Sequence, residues 1–475
     1  MKKFLLSSLA FILAVVCMRA SYVEIPDNLF STGLRIVVIE TIGGVEPTCE
    51  PVVAPPGSWG IGITNADKVP GSVAVVNADG TVAFESGEYV KKESGMTVKV
   101  RGNTSALYDK KPFKIKLEKK GDLLGRGDKS LNDKNWVILS SRNNLYELGF
   151  IIGELIGMPW APACEYVHVI FNGDYRGVYL LAEAVERNEK CRIITDEDGF
   201  VAEKDAYWWN EGGEYLPSIW NPQFNWTMKY PDFDDLTPEF KAYVQEVLNA
   251  YEAVIFTEDY ESLIDIDSYC RWLLAQDILG TSDGGGTNFY LAKASASPGS
   301  KLFVPVLWDV DSAEETYDAW SNVHGEGMVF PLFDNANPAF RKKYVELYYE
   351  LSPAIFDAMA SLAENLRSGA WDGFNRAVDL NNERWGADNM YYSGHNADDM
   401  EWWFPPRKLW LDNAIGRIDQ TLGSQCIRPA EEEDHITVFS LSGIKIYSGA
   451  ENGFTAPERG IYIVKKGSSA RKRAF

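Results

Sequence analysis

Residues 277–311, DILGTSDGGGTNFYLAKASASPGSKLFVPVLWDVD, run from the end of a helix through a glycine loop into a strand, a turn and a second strand that ends in acids. Such a stretch implies a mixed α and β architecture, because the strands need sheet partners and the helix needs an apolar surface to pack on. Asp283 and Asn288 bracket the loop, and Asp309 and Asp311 close the second strand. An acid, an amide and further acids brought together by a hairpin suit a divalent cation that holds phosphates, since such cations take hard oxygen ligands. Phosphoryl transfer needs that cation plus a carboxylate to orient the attacking hydroxyl.

The rest of the chain divides by period. From Ser21 to about Gly95, β-branched runs such as LRIVVIETI alternate with turn clusters, and SVAVVNADGTVAF reads as a hairpin around Asp79-Gly80. MTVKVRGNTS, residues 96–105, alternates and then ends in a polar turn. Arg101 beside the flexible Gly102 suits an anion, and a solvated turn has the same composition. KKPFKIKLEKK, residues 110–120, is a strand with Lys114 and Lys116 on one face and Phe113, Ile115 and Leu117 on the other. The lysines face either a nucleotide or solvent. A helix follows from about Asn144 to Ile156, with Leu145, Leu148, Ile152 and Leu155 at helical spacing. Its Glu147 and Glu154 either pair with a strand lysine or lie on a solvated face. YVHVIFNGDYRGVYLLAEAVERN, residues 166–188, is a hairpin about Asn172-Gly173-Asp174, with Glu183 and Glu186 beyond its second strand. His168, within that hairpin, reads as a packed or surface histidine.

The later half is helical. Thr237 caps a helix that has Pro238 at its first position. Helical spacing recurs over 337–368 and 407–423, and RWGADNMYYSGHNADDMEWWFPPR between them reads as a packed aromatic loop. After Cys426 come a charged linker and short strands with a basic end.

The 46 basic and 68 acidic side chains leave a net charge of −22. That argues against nucleic acid as the main partner, because phosphate backbones are bound by basic patches. A protein substrate would be basic or neutral. MKKFLLSSLAFILAVVCMRAS opens with two lysines and an apolar run from Phe4 to Val16, too short for a comfortable membrane span and typical of a secretory signal. Cys17 directly follows that run, where a bacterial lipoprotein carries its lipidated cysteine; ordinary cleavage nearby is the alternative. No later stretch suits a transmembrane span, so the mature chain is read as exported or surface-tethered. Cys49, Cys164, Cys191, Cys270 and Cys426 are scattered without a C-x-x-C, which excludes a zinc framework. Cys164 could bridge Cys191, or all could be buried thiols.

RGNTS with KKPFKIKL, NWVILSSRNN, FNGDYRGVYLLAE, DGGGTNFYL and VPVLWDVD follow one another in the order found in the CotH family of secreted and spore-coat kinase-like proteins, which this chain resembles over roughly residues 35–425. The resemblance implies an α+β, atypical protein-kinase-like fold with an N-terminal β-rich lobe and a mainly helical C-terminal lobe. It implies ATP with Mg²⁺ or Mn²⁺, and transfer of the γ-phosphate to Ser or Thr hydroxyls of a protein. By the same resemblance Asp283 is the catalytic-loop aspartate and Asn288 and Asp309 are metal ligands, with Asp311 either a further metal ligand or a residue supporting the ligands from behind. Lys114 or Lys116 holds the phosphates with Arg101 nearby, and the segment around Glu183 forms the hinge beside the adenine. No G-x-G-x-x-G loop is present, so the phosphate cover is built differently. The chain then divides into a signal (1–17), a β-rich segment (18–95), a kinase-like domain (96–425), and a linker with a small β tail (426–475). That tail resembles the C-terminal sorting tails of exported Bacteroidetes proteins.

Two other readings stay open. WDVD is followed by SAEE, where family members often carry an apolar residue and glycine, which suits a kinase-like interaction protein without turnover. A carbohydrate-active hydrolase would use Asp283 and Asp309 as a carboxylate pair, with Trp208, Trp209, Trp402 and Trp403 against sugars.

Overall fold

Alternating apolar residues in the first half close a barrel. The structure is a computed structural model that describes residues 24–58, 60–64, 67–140, 145–210, 215–282, 284–312, 316–325, 329–369, 371–386, 397–423, 435–439, 445–457, 461–466 and 469–474. Its strands are β1 (Arg35–Thr41), β2 (Val69–Val76), β3 (Val82–Glu85), β4 (Met96–Val100), β5 (Phe113–Gly121), β6 (Asp133–Leu139), β7 (Cys164–Phe171) and β8 (Asp174–Glu183). They pair in the order β1, β7, β8, β6, β5, β4, β2, and β2 pairs back onto β1. β3 extends the sheet beside β2. Only the β1–β7 pair is parallel. Closure removes the open edges that a free sheet would present. Strands from either side of residue 96 therefore share one barrel.

Phe113, Ile115 and Leu117 fill the barrel interior with Val98, Trp136 and Phe171. The period-two alternation turns Lys114 and Lys116 outward. The tightest hairpin forms where NGD sits between β7 and β8: Asn172 (φ 48°) and Gly173 (φ 80°) both adopt positive φ, as a two-residue I′ turn requires. His168 is fully buried on the outer face of β7, held by Thr32 Oγ1 at 2.8 Å and Tyr175 Oη at 3.0 Å.

A second, antiparallel sheet comprises β9 (Phe200–Asp205), β10 (Asn225–Tyr230), β11 (Phe289–Lys293) and β12 (Leu302–Phe303), in the order β10, β9, β11, β12. Its β9 carries a buried ion pair, Lys204 Nζ to Glu252 Oε1 at 2.6 Å, on a helix described next. The longer helices are α1 (Leu145–Ile156), α2 (Pro238–Val254), α3 (Ile266–Leu279), α4 (Ala339–Arg367), α5 (Asp372–Trp385) and α6 (Ala397–Leu422). Thr237 caps α2 by accepting the Phe240 N–H, with Pro238 at the first position as its sequence predicts. α3 is buried almost all round from Ser268 onward, as a central core helix must be, and Gly280 ends it in the left-handed conformation. Residues 435–474 contribute a further four-stranded antiparallel sheet. Among the described residues, no helix is long and apolar enough to cross a membrane.

Three expectations change. The second strand of the organising hairpin is only two residues long. Val304 to Val310 are mostly buried yet run outside the sheet. Pro305 has no N–H to give a ladder; instead Trp160 N–H donates to Pro305 O at 3.0 Å and Val304 N–H to Ser268 Oγ at 3.1 Å. The aromatic segment read as a loop contains the last two residues of α5 and the first part of α6, which crosses Pro405 and Pro406, while its residues 387–396 lie outside the described residues. Each interior proline costs about 3 kcal/mol, but the stripe Ala397, Met400, Phe404, Arg407, Leu411 and Ala414 buries one continuous face. Finally, Cys164 and Cys191 are both free, as are Cys49 and Cys270. Cys164 lies in β7 opposite Ala182, while Cys191 sits in a separate loop beside Asn188. Cys17 and Cys426 lie outside the described residues.

Candidate functional site

Where the outer face of the barrel meets the second sheet there is a cavity of about 440 Å³, within the range of small-molecule sites. Its basic wall comes from the barrel. Lys99 and Arg101 face outward because Val98 and Val100 point into the core. Lys99 lies directly opposite Lys114 in the β4–β5 register, and all three basic residues line the cavity. Like charges directly opposite each other are unfavourable unless neutralised. Lys114 Nζ meets Glu186 Oε1 at 2.8 Å, and a bound anion would neutralise the group further. The whole RGNTS turn, with Gly102 at φ 82°, also lines the cavity.

The opposite wall is rich in oxygen. Helix α1 positions it: Phe150 stacks on Trp308 at 5.7 Å, Tyr146 meets its edge at 6.5 Å, and Val310 packs against Gly149. Burial of Val310 leaves its neighbours Asp309 and Asp311 lining the cavity with Asn288. Asn288 (φ 58°) and Asp309 (φ 55°) both adopt the left-handed backbone conformation. Non-glycine residues rarely do so, and they cluster at functional sites when they do. Burial, reinforced by the Asp311 carboxylate, pushes the Asp309 carboxyl up to about 7, while Arg101 opposes the shift. A buried carboxyl whose proton affinity is raised by a carboxylate beside it equally favours a cation there. Their oxygens with the Asn288 amide fit the chemistry of Mg²⁺ or Mn²⁺. Among the described residues, no group of three or more His, Cys, Asp or Glu side chains forms a metal site.

Of the residues singled out by sequence, Arg101, Lys114, Asn288, Asp309 and Asp311 come together in this cavity. Lys116 does not: it is exposed further along β5, opposite Thr97 and Asn135. Glu183 is buried away from the cavity, where it accepts from Arg126 Nη2 at 2.9 Å, Trp160 Nε1 at 3.3 Å and the Ala163 N–H at 3.1 Å. Its successors Ala184 and Val185 line the cavity instead. Asp283 lies outside the described residues. The strand lysine pairs with neither Glu147 nor Glu154 but with Glu186. Trp403 is engaged by Ile278 O at 3.0 Å and by Arg407 stacked on its ring, whereas Trp402 is exposed with its ring edge on Tyr317.

Sequence reading passed over Lys99, Glu203, Asp205 and Lys229, all cavity-lining. Glu203 Oε2 holds Lys229 Nζ at 2.7 Å, and Asp205 accepts from the Tyr207 N–H at 2.7 Å and Thr227 Oγ1 at 3.1 Å. The available signal was alternation in FVAEKD, which puts Glu203 and Asp205 on one face of β9 and Lys204 on the other.

No curated protein matches the chain. The sequence matches the family described as CotH kinase protein over residues 98–389, more than half of its length.

Proposed function

This chain belongs to the CotH kinase family, and from that premise we propose that it is a metal-dependent atypical protein kinase that transfers the γ-phosphate of ATP to Ser or Thr hydroxyls of a basic or neutral protein. The observation that carries this reading is one cavity lined by Arg101, Lys114, Asn288, Asp309 and Asp311, which the sequence scatters over some two hundred residues. In this reading the barrel and second sheet serve as the β-rich lobe, and α2 to α6 as the helical lobe. Arg101 and Lys114, with Lys99 beside them, hold the phosphates. Ala184 and Val185 flank the base. Asp309, Asp311 and Asn288 hold Mg²⁺ or Mn²⁺, which when bound neutralises charge on the phosphates. Asp283 orients the attacking hydroxyl and accepts its proton.

A signal at 1–17 and a linker with tail from 426, export through that signal, attachment at Cys17 and reading of the C-terminal tail as an export address complete the proposal, with 18–95 joined to the kinase-like domain because its strands share the barrel. The test is ³²P transfer from γ-labelled ATP, with Mg²⁺ or Mn²⁺, to a generic basic protein and to the chain itself. Asp309→Ala, checked for folding by circular dichroism, should lose transfer. Transfer that persists in this variant rejects the assignment of Asp309. Nucleotide binding without any transfer by the wild type would favour the interaction-protein reading.

A further inference from the structure

The segment after the cavity acids is fastened at several points to the end of α3. Asp277 is fully buried. Its carboxylate accepts the Ser321 N–H at 3.0 Å, Tyr344 Oη at 2.7 Å and His324 Nε2 at 2.8 Å. Arg407, also fully buried, lies between the rings of Trp403 and Trp410, at 5.5 and 5.1 Å. It donates Nε to Asp277 O at 2.6 Å, and Nη1 to Tyr317 O at 2.8 Å and to Ala319 O. The same region joins the start of the glycine loop. Ser321 Oγ donates to Thr281 O at 2.7 Å, Asn322 N–H to Thr281 O at 3.2 Å, and Ser282 N–H to Ser312 O at 3.0 Å. Ser312 immediately follows Asp311.

A buried guanidinium ties two carbonyls of one loop to a carbonyl of α3, and hydrogen bonds to charged groups in a low-dielectric interior are strong and costly to leave unmade. We propose that Asp277 and Arg407 are positioning residues: together they clamp residues 316–325 and so fix the distance between the glycine loop and the acids at 309 and 311. Asp277, Arg407, His324 and Tyr344 do not line the cavity. The proposal rests on the kinase reading and adds to it the part that holds residues 316–325 against the end of α3.

The test uses the full chain with Arg407→Lys and His324→Phe. The first keeps the charge but loses the guanidinium fork. The second keeps an aromatic ring between Trp320 and Phe333, which lie at 4.9 and 5.1 Å, but loses the contact to Asp277. Amide hydrogen exchange is followed in peptides covering 316–325, and initial rates of phosphoryl transfer are measured against ATP. Both variants should exchange about tenfold faster there and lose about tenfold in kcat, with KM for ATP nearly unchanged. Unchanged exchange in a folded variant overturns the clamp, and so does a KM that rises as much as kcat falls. Should Arg407→Lys fail to fold, His324→Phe decides. A wild type that transfers no phosphate refutes the kinase reading by itself; exchange then judges the clamp, faster in the variants sustaining it and unchanged rejecting it.

Discussion

Gly149 offers a direct perturbation of the oxygen-rich wall from outside the cavity. It sits mid-helix in α1 against Val310, between Asp309 and Asp311. A Cβ placed on Gly149 overlaps Val310 Cγ2 and falls about 1 Å short of ordinary van der Waals contact. Val310 is buried and β-branched, so its restricted χ1 leaves little room to yield. The backbone carrying both acids must therefore shift by a similar distance. Misplacement of about 1 Å can cost roughly 10²-fold in rate, and that is the loss expected in kcat for Gly149→Ala. Stability should move little, because alanine gains about 1 kcal/mol of helix propensity against an overpacking cost of about 1–3 kcal/mol. The assay is metal-dependent phosphoryl transfer beside thermal unfolding. Adding Val310→Ala removes the clashing methyl group and should restore much of the rate. Wild-type transfer by folded Gly149→Ala would refute the reasoning. So would a double variant as impaired as the single one while Val310→Ala alone stays active.

Three further outcomes follow from the packing. Burial lowers the His168 pKa from 6.5 to about 4; the folded state favours the neutral ring, so its contribution is complete above about pH 6.5 and is lost as pH falls toward 4, about 3 kcal/mol in all. Urea unfolding at about pH 7.5 and pH 4 should show that extra acid loss in the wild type but not in His168→Gln, and equal losses in both would reject it. Lys204→Met leaves the fully buried Glu252 without its cation, which should cost about 3–5 kcal/mol by denaturant unfolding; Glu252→Gln in the same background should recover part of it, and no recovery would point to lost packing instead. Gly102→Ala must adopt φ 82° and collides with Ser105 Oγ; it should raise KM for ATP by severalfold, about 1 kcal/mol, and an unchanged KM would remove the RGNTS turn from the phosphate site.

Much of the barrel is legible in sequence, because period-two alternation states which face of each strand is buried. FKIKL predicts both the packed side of β5 and the outward lysines, and Asn172-Gly173 predicts its own turn. α6 is not legible across Pro405-Pro406: local propensity argues for a break, and only the depth of the groove that takes Met400, Phe404 and Arg407 outweighs it. The hairpin of the organising stretch is half legible. Its first strand pairs as expected, but beyond Phe303 the Val304 N–H and the Pro305 carbonyl are satisfied by Ser268 and Trp160, residues far away in the chain.

The same division holds at the site. Sequence by itself determined the residue types and their order, and through them the family: a basic strand, a glycine loop with Asn288, and acids at 309 and 311. It did not separate Lys114 from Lys116, since both share one face of one strand. Tertiary structure made that choice, as Lys114 lies opposite Lys99 beneath the second sheet while Lys116 runs on into solvent. Tertiary structure also replaced Glu183 with Ala184 and Val185, and added Glu203 and Asp205. Spacing along a chain states which side a residue faces; what stands opposite it depends on how separate elements close against one another, and that is decided only when their apolar faces are buried together.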